Sequence, residues 1–128
     1  MKRLSQLTLL FIVVLPASVL AWFQRAAITN VHCVPSLFRV LLRELEAAES
    51  PVAPSLQRIL LAGERLYAAD VKRWRELAGD RIELVNLYGP TETTLAKCFY
   101  RIEGVPGADN GVVPLGRPLP DTEILIIR

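Results

Sequence analysis

Apolar residues fall in short blocks along this chain, and the spacing within the blocks changes. Ile28-Thr29-Asn30-Val31-His32-Cys33-Val34 is short, apolar and β-branched, which predicts a buried strand. Pro35-Ser36 then opens a helix. Proline suits a first turn, where its missing N–H costs nothing, and the Ser36 hydroxyl can cap free amides there. Leu37, Phe38, Leu41, Leu42 and Leu45 recur at helical spacing, with Arg39, Arg43, Glu44 and Glu46 on other faces. Residues 50–54 hold two prolines, break the period and predict a loop. Ile59-Leu60-Leu61-Ala62 is the next strand, ended by Gly63. Residues 68–78 form a second helix, with Val71, Trp74 and Leu77 on one face and Gly79 just beyond its end. Arg81-Ile82-Glu83-Leu84-Val85-Asn86 makes a third strand, and Gly89-Pro90 forces a turn.

Strands alternating with helices of this length imply βαβ units. The expected class is α/β, a largely parallel sheet with flanking helices and right-handed crossovers. The last third differs in character. Residues 97–102 and 122–127 read as strands, separated by a loop containing Gly104, Gly107, Gly111, Pro114 and Pro118. At the other end no charge occurs between Leu4 and Gln24, and Lys2 and Arg3 precede that stretch. Its centre resembles the apolar region of a secretory signal, with residues 17–21 as a small-residue cleavage site. A membrane anchor is a second reading, since about 20 uncharged residues can span a bilayer, and a buried helix or strand is a third.

Composition narrows the classes. At 128 residues, 52% hydrophobic and 22% charged, the chain is long and apolar enough for one globular domain and is not of a disordered type. A formal charge of +2, with no segment interleaving basic and aromatic residues, gives no nucleic-acid footprint. Cys33 and Cys98 cannot make a disulfide scaffold and read as reduced, buried thiols. One histidine and two scattered cysteines have no metal-site spacing, and no Gly-x-Ser-x-Gly elbow is present.

The densest polar cluster is Asn86-Leu87-Tyr88-Gly89-Pro90-Thr91-Glu92-Thr93-Thr94, at the end of the third strand. In parallel α/β sheets ligands sit beyond the carboxyl ends of strands. Tyr88 offers a flat ring for a base, and Gly89 a tight turn with close backbone approach. Thr91, Thr93 and Thr94 offer hydroxyls for phosphate, and Glu92 a hard oxygen ligand for Mg²⁺. An ordinary turn whose threonines cap a short helix would use the same residues.

This string resembles a core motif of the adenylation domains of nonribosomal peptide synthetases, in the adenylate-forming (AMP-dependent synthetase and ligase) family. Val34-Pro35-Ser36-Leu37-Phe38 is similar to the family's upstream strand-to-helix junction. Leu60-Leu61-Ala62-Gly63-Glu64-Arg65-Leu66 is similar to its glycine-glutamate turn. Val113-Pro114-Leu115-Gly116-Arg117-Pro118, followed by Thr122-Glu123-Ile124-Leu125-Ile126, is similar to the stretch after the nucleotide motif. The likeness covers residues 17–128, a fragment of the family's large N-terminal region, and leaves residues 1–16 as an apolar stretch unlike it.

The resemblance implies ATP/AMP and Mg²⁺ as ligands of the complete domain. Gly63, Glu64, Asn86, Tyr88, Gly89 and Thr91 would border the nucleotide, with Tyr88 against adenine and backbone around Gly63 and Glu64 at its other edge. Thr91 would contact the α-phosphate and Glu92 would hold the metal, making this pair the catalytic residues. An amino-acid carboxylate would attack the α-phosphate, pyrophosphate would leave, and the acyl group would pass to phosphopantetheine on a peptidyl carrier domain. His32, Leu60, Ala62, Leu87, Leu95 and Ala96 would line the amino-acid pocket. Five of these six are apolar, which implies a hydrophobic substrate, with His32 as one polar contact or else a satisfied core histidine.

The family's phosphate loop, ammonium-anchoring aspartate motif, ribose-binding aspartate and catalytic lysine have no counterpart in this sequence. Ala78-Gly79-Asp80 precedes the tyrosine motif and reads as a helix end. Loss of one preorganised group costs about 10²–10³ in rate, so the 128-residue chain is expected to be inactive alone and to need the remaining adenylation-domain segments. ATP and carrier proteins imply a cytoplasmic setting. The alternative is a small secreted or membrane-anchored α/β binding module without catalysis.

Overall fold

The computed structural model describes residues 19–48, 52–89, 96–107 and 111–127. In chain order the elements are α1 (Val19–Arg25), β1 (Asn30–Cys33), α2 (Pro35–Ala47), β2 (Arg58–Leu61), α3 (Ala68–Ala78), β3 (Glu83–Tyr88), β4 (Cys98–Arg101) and β5 (Arg117–Pro118). The five strands form one mixed sheet in the order β1-β2-β3-β4-β5. β1, β2 and β3 are parallel, as the alternation of strands and helices predicts. β4 and β5 run antiparallel to their neighbours. The link from β3 to β4, residues 89–97, is shorter than the dozen or so residues a parallel crossover needs.

Two crossovers stepping the same way along the sheet, of the one hand that such connections favour, put α2 and α3 on one face, where they pack against each other. Strand alternation sends Val31, Cys33, Ile59, Leu61, Leu84 and Asn86 toward them. The helices answer with Phe38, Leu41, Leu42, Leu45, Val71 and Trp74, the core positions their spacing predicts. Trp74 is fully buried and packs on Phe38 with ring centroids 5.1 Å apart. Burial of one such aromatic stabilises by roughly 2–3 kcal/mol. Arg75, on α3, donates to the carbonyls of Ile82 at 3.1 Å and Ile102 at 3.0 Å, tying the helix to both strands at the open end of the β3–β4 pair.

The structure alters four expectations. Residues 17–21 read as a cleavage site, yet α1 begins at Val19. Leu20 and Phe23 enter the core, and the amides of Val19 and Leu20 donate to the Glu44 carboxylate on α2. Ser36 does not cap α2: the N-cap is Val34, with no side-chain cap bond. The third strand runs on to Tyr88, because antiparallel pairing with β4 reaches Tyr88↔Cys98. Residues 122–127 form no strand. A turn at Leu119–Thr122, with Asp121 at φ 63°, leads the chain away from the sheet. Ile126 and Ile127 are 87% and 90% exposed, without a pairing neighbour among the described residues. The stretch assigned to residues 1–16 lies outside the described residues. Within the described residues no helix is long and apolar enough to cross a membrane.

Candidate functional site

The site is built where parallel strands release their carboxyl ends. β2 and β3 pair with Leu61 opposite Asn86, so the Gly63 turn and Tyr88 lie two residues further along neighbouring strands, at the same sheet edge. Gly63 has φ +91°, a conformation that side-chain-bearing residues rarely adopt, and this lets β2 break sharply. Tyr88, the last residue of β3, is 44% exposed, so its ring is open to a planar ligand. Gly89 follows it, also exposed.

Two polar side chains of this group are already engaged. Glu64 accepts from the Ser36 amide at 2.8 Å and from the Ser36 hydroxyl at 2.9 Å, so both its oxygens face the start of α2. Asn86 is 4% exposed and its Nδ2 donates to the Pro114 carbonyl at 2.9 Å. That bond anchors the segment after Gly111 beside the strand. Val113 N–H donates to Leu66 O at 2.9 Å, and Ala68 N–H to Gly111 O at 2.8 Å. The turn after β2 is therefore held between α2 on one side and residues 111–114 on the other.

The residues expected to line the amino-acid pocket divide. His32 pairs in register with Leu60, and Leu60 with Val85, on the face opposite α2 and α3. Ala62, two beyond Leu60, and Leu87, two beyond Val85, continue the same rows. His32 is exposed, while Leu60, Ala62 and Leu87 are half-buried, so His32 is not a core histidine. Ala96, just before β4, is half-buried and not in this row. Thr91, Glu92 and Leu95 lie outside the described residues. Among the described residues no group of three or more His, Cys, Asp or Glu is placed to hold a metal ion.

Both cysteines are buried and unpaired. Burial pushes the Cys33 thiol up from 9.0 to about 12, which removes it as a nucleophile. A cleft of about 360 Å³ opens at the other end of β3, beside Arg75, Asp80, Arg81 and Arg101. Its charges answer one another, with Arg75–Asp80 at 3.3 Å and Arg101–Glu83 at 3.4 Å. The Arg81 guanidinium is spent on the carbonyls of Ala53, Pro54 and Leu56.

Residues 8–128 match the family model described as AMP-binding enzyme. The chain belongs to this family. Among curated proteins it is similar to syringomycin synthase SyrB1 of Pseudomonas syringae pv. syringae. The two are 34% identical over 105 residues, which is 81% of this chain and 17% of SyrB1. Among solved structures it is similar to the nonribosomal peptide synthetase FmoA3, with 25% identity and a TM-score of 0.66, over 76% of this chain and 10% of that one. It is also similar to the Vibrio cholerae adenylation domain AlmE, solved with glycyl-adenosine-5'-phosphate. There the identity is 26% and the TM-score 0.63, over 79% of this chain and 18% of AlmE. The chain thus spans less than a fifth of each. Its mixed sheet with flanking helices has the fold of part of the N-terminal subdomain of adenylation domains.

What sequence reading missed is which groups these side chains engage. Asn86 is the buried polar residue of β3, and its partner lies 28 positions away. The Ser36–Glu64 contact joins two of the motifs across the same separation.

Proposed function

We propose that this chain is part of an amino-acid-activating adenylation domain of the nonribosomal peptide synthetase type. It would contribute one wall of the nucleotide site and the floor of the substrate pocket. The reading is supported most by one juxtaposition: the Gly63 turn and the open Tyr88 ring share the carboxyl edge of two adjacent parallel strands. That is the edge where α/β sheets bind ligands. An adenine ring would lie on Tyr88, with backbone at Gly63, Glu64 and Gly89 along its rim. Thr91 would meet the α-phosphate and Glu92 would hold Mg²⁺, both assigned from the motif alone. The metal would supply positive charge against the α-phosphate, and positioning with charge stabilisation is the main demand of such chemistry.

The open face carrying His32, Leu60, Ala62 and Leu87 would receive a hydrophobic amino-acid side chain, with Leu95 and Ala96 assigned to the pocket from the motif alone. Transfer to phosphopantetheine on a carrier domain would follow, in the cytoplasm, with the remaining adenylation-domain segments in place. Alone, the 128-residue chain would not activate an amino acid.

The test is photolabelling of the chain with 8-azido-AMP, followed by peptide mapping. Labelling should fall on the peptides containing Gly63 and Tyr88, be displaced by AMP, and drop in Y88A. Labelling spread over the surface and indifferent to AMP would overturn the nucleotide reading.

A further inference from the structure

The Glu64 carboxylate sits at the end of a positive-φ turn, where an exposed acid would ordinarily face solvent or ligand. Instead both oxygens are directed at Ser36, one to its amide and one to its hydroxyl. The Ser36 amide lies in the first turn of α2, where N–H groups lack helical partners and favour negative charge. From the next turn of α2, Arg39 donates to the Arg65 carbonyl at 3.3 Å, and its guanidinium meets Asp70 on α3 at 3.0 Å. The backbone of residues 63–65 is thereby fastened to α2 at two points, by an acid reaching up from the turn and a base reaching down from the helix.

We propose that Glu64 is a positioning residue, not a nucleotide contact: with Ser36 it fixes the Gly63–Glu64 backbone in the conformation offered to adenine. The assignment rests on the nucleotide reading above. It adds that Ser36, which points at Glu64 rather than at the edge beside Tyr88, sets nucleotide affinity through that turn. A ligand role for the carboxylate and a clamp role make opposite demands on Ser36. If Glu64 touched the nucleotide, removing the Ser36 hydroxyl would free the carboxylate and leave binding intact or improved. If Glu64 works by holding the turn, the same removal weakens binding.

The experiment uses the isotopically labelled 128-residue chain and its E64A, E64Q, S36A and S36A/E64A variants, with two readouts. Amide hydrogen exchange at Ser36 should rise about tenfold in E64A, the scale of one charge-assisted bond. It should recover toward wild type in E64Q, which keeps an acceptor, and exchange at Leu61 and Leu84 should not change. An unchanged Ser36 amide, or a uniform rise across the sheet, would overturn the clamp. Chemical-shift titration with AMP should show weakening of roughly fivefold in E64A and two- to threefold in S36A, with the double variant no weaker than E64A. Weakening in E64A with S36A at wild-type affinity would overturn the proposal and make the carboxylate a direct contact. Absence of AMP-induced shifts at Gly63 and Tyr88 in the wild-type chain would overturn the nucleotide reading and the positioning role with it. The exchange data would then report only whether the turn is tied down.

Discussion

Gly116 to alanine is the substitution that most sharply tests how the antiparallel edge is packed. A Cβ at Gly116 would lie 2.0 Å from Phe99 O, 2.6 Å from Phe99 C and 2.7 Å from Tyr100 Cβ. Two of these are backbone atoms of β4, and no side-chain rotation relieves them. The φ of +81° adds strain of about 1–2 kcal/mol for an L side chain. To admit the methyl group, β5 must move off β4. That loosens the Phe99–Arg117 pairing and the Leu119 N–H bond to Lys97 O at 2.8 Å, at about 1 kcal/mol per bond.

Gly79 supplies the control, since it has φ +71° but nothing within 4 Å of its added Cβ. G79A should therefore cost about 2 kcal/mol, from strain alone, since φ 71° with ψ −163° is a conformation left almost wholly to glycine, and G116A about 3–4 kcal/mol. Urea denaturation followed by circular dichroism measures both, and exchange of the Leu119 amide localises the second. The close approach of the Gly116 segment to β4 is refuted if G116A is no more destabilising than G79A.

Other outcomes follow from the same contacts. R75A should cost about 2–3 kcal/mol, because it strands the Ile82 and Ile102 carbonyls, whereas D80N should cost under about 0.5 kcal/mol, its carboxylate being 85% exposed; urea titration separates them. Cys33 has a folded pKa raised from 9.0 to about 12, so its contribution is fully present below pH 9 and is lost as pH climbs toward 12. Between pH 8 and pH 10 this thiol should remove about 1 kcal/mol of stability, and C33A, compared over the same range, should lack that part of the slope. The isolated chain should show no amino-acid-dependent ATP–pyrophosphate exchange; robust exchange would mean that it carries more of the catalytic apparatus than its motifs indicate.

The parallel half of the sheet was legible because each of its signals is local. Proline at the start of α2, Gly79 after α3 and apolar residues at two distinct periods mark elements whose identity depends little on the rest of the chain. α3 spans the residues its pattern predicts. The C-terminal strand failed for the opposite reason. Ile124-Leu125-Ile126-Ile127 has strand composition, but a strand needs a neighbour, and the turn at Asp121 takes this segment past β5 without one. The Ser36 cap failed similarly. A hydroxyl near a helix start is a local signal, whereas the acid that occupies that start comes from a turn 28 residues later.

In the candidate site, residue types and order pointed to the carboxyl edge of the parallel strands, where Gly63 and Tyr88 lie. That Tyr88 ends a strand rather than following one, and that Asn86 faces the Pro114 carbonyl, required the antiparallel pairing and the return of residues 111–114. The separation of His32, Leu60, Ala62 and Leu87 onto the face away from the helices needed the register. Alternation in each strand says which residues share a side, not which side the helices take.

Whether this chain forms the nucleotide edge and pocket floor of an adenylation domain can be decided by a segment exchange. Residues 19–127 would replace the structurally matching segment of Vibrio cholerae AlmE, and the folded hybrid would be assayed for ATP–pyrophosphate exchange against each amino acid. If the chain forms that edge and floor, the hybrid shows amino-acid-dependent exchange, abolished by Y88A and shifted from glycine toward hydrophobic amino acids. A folded hybrid with no exchange for any amino acid would contradict that assignment.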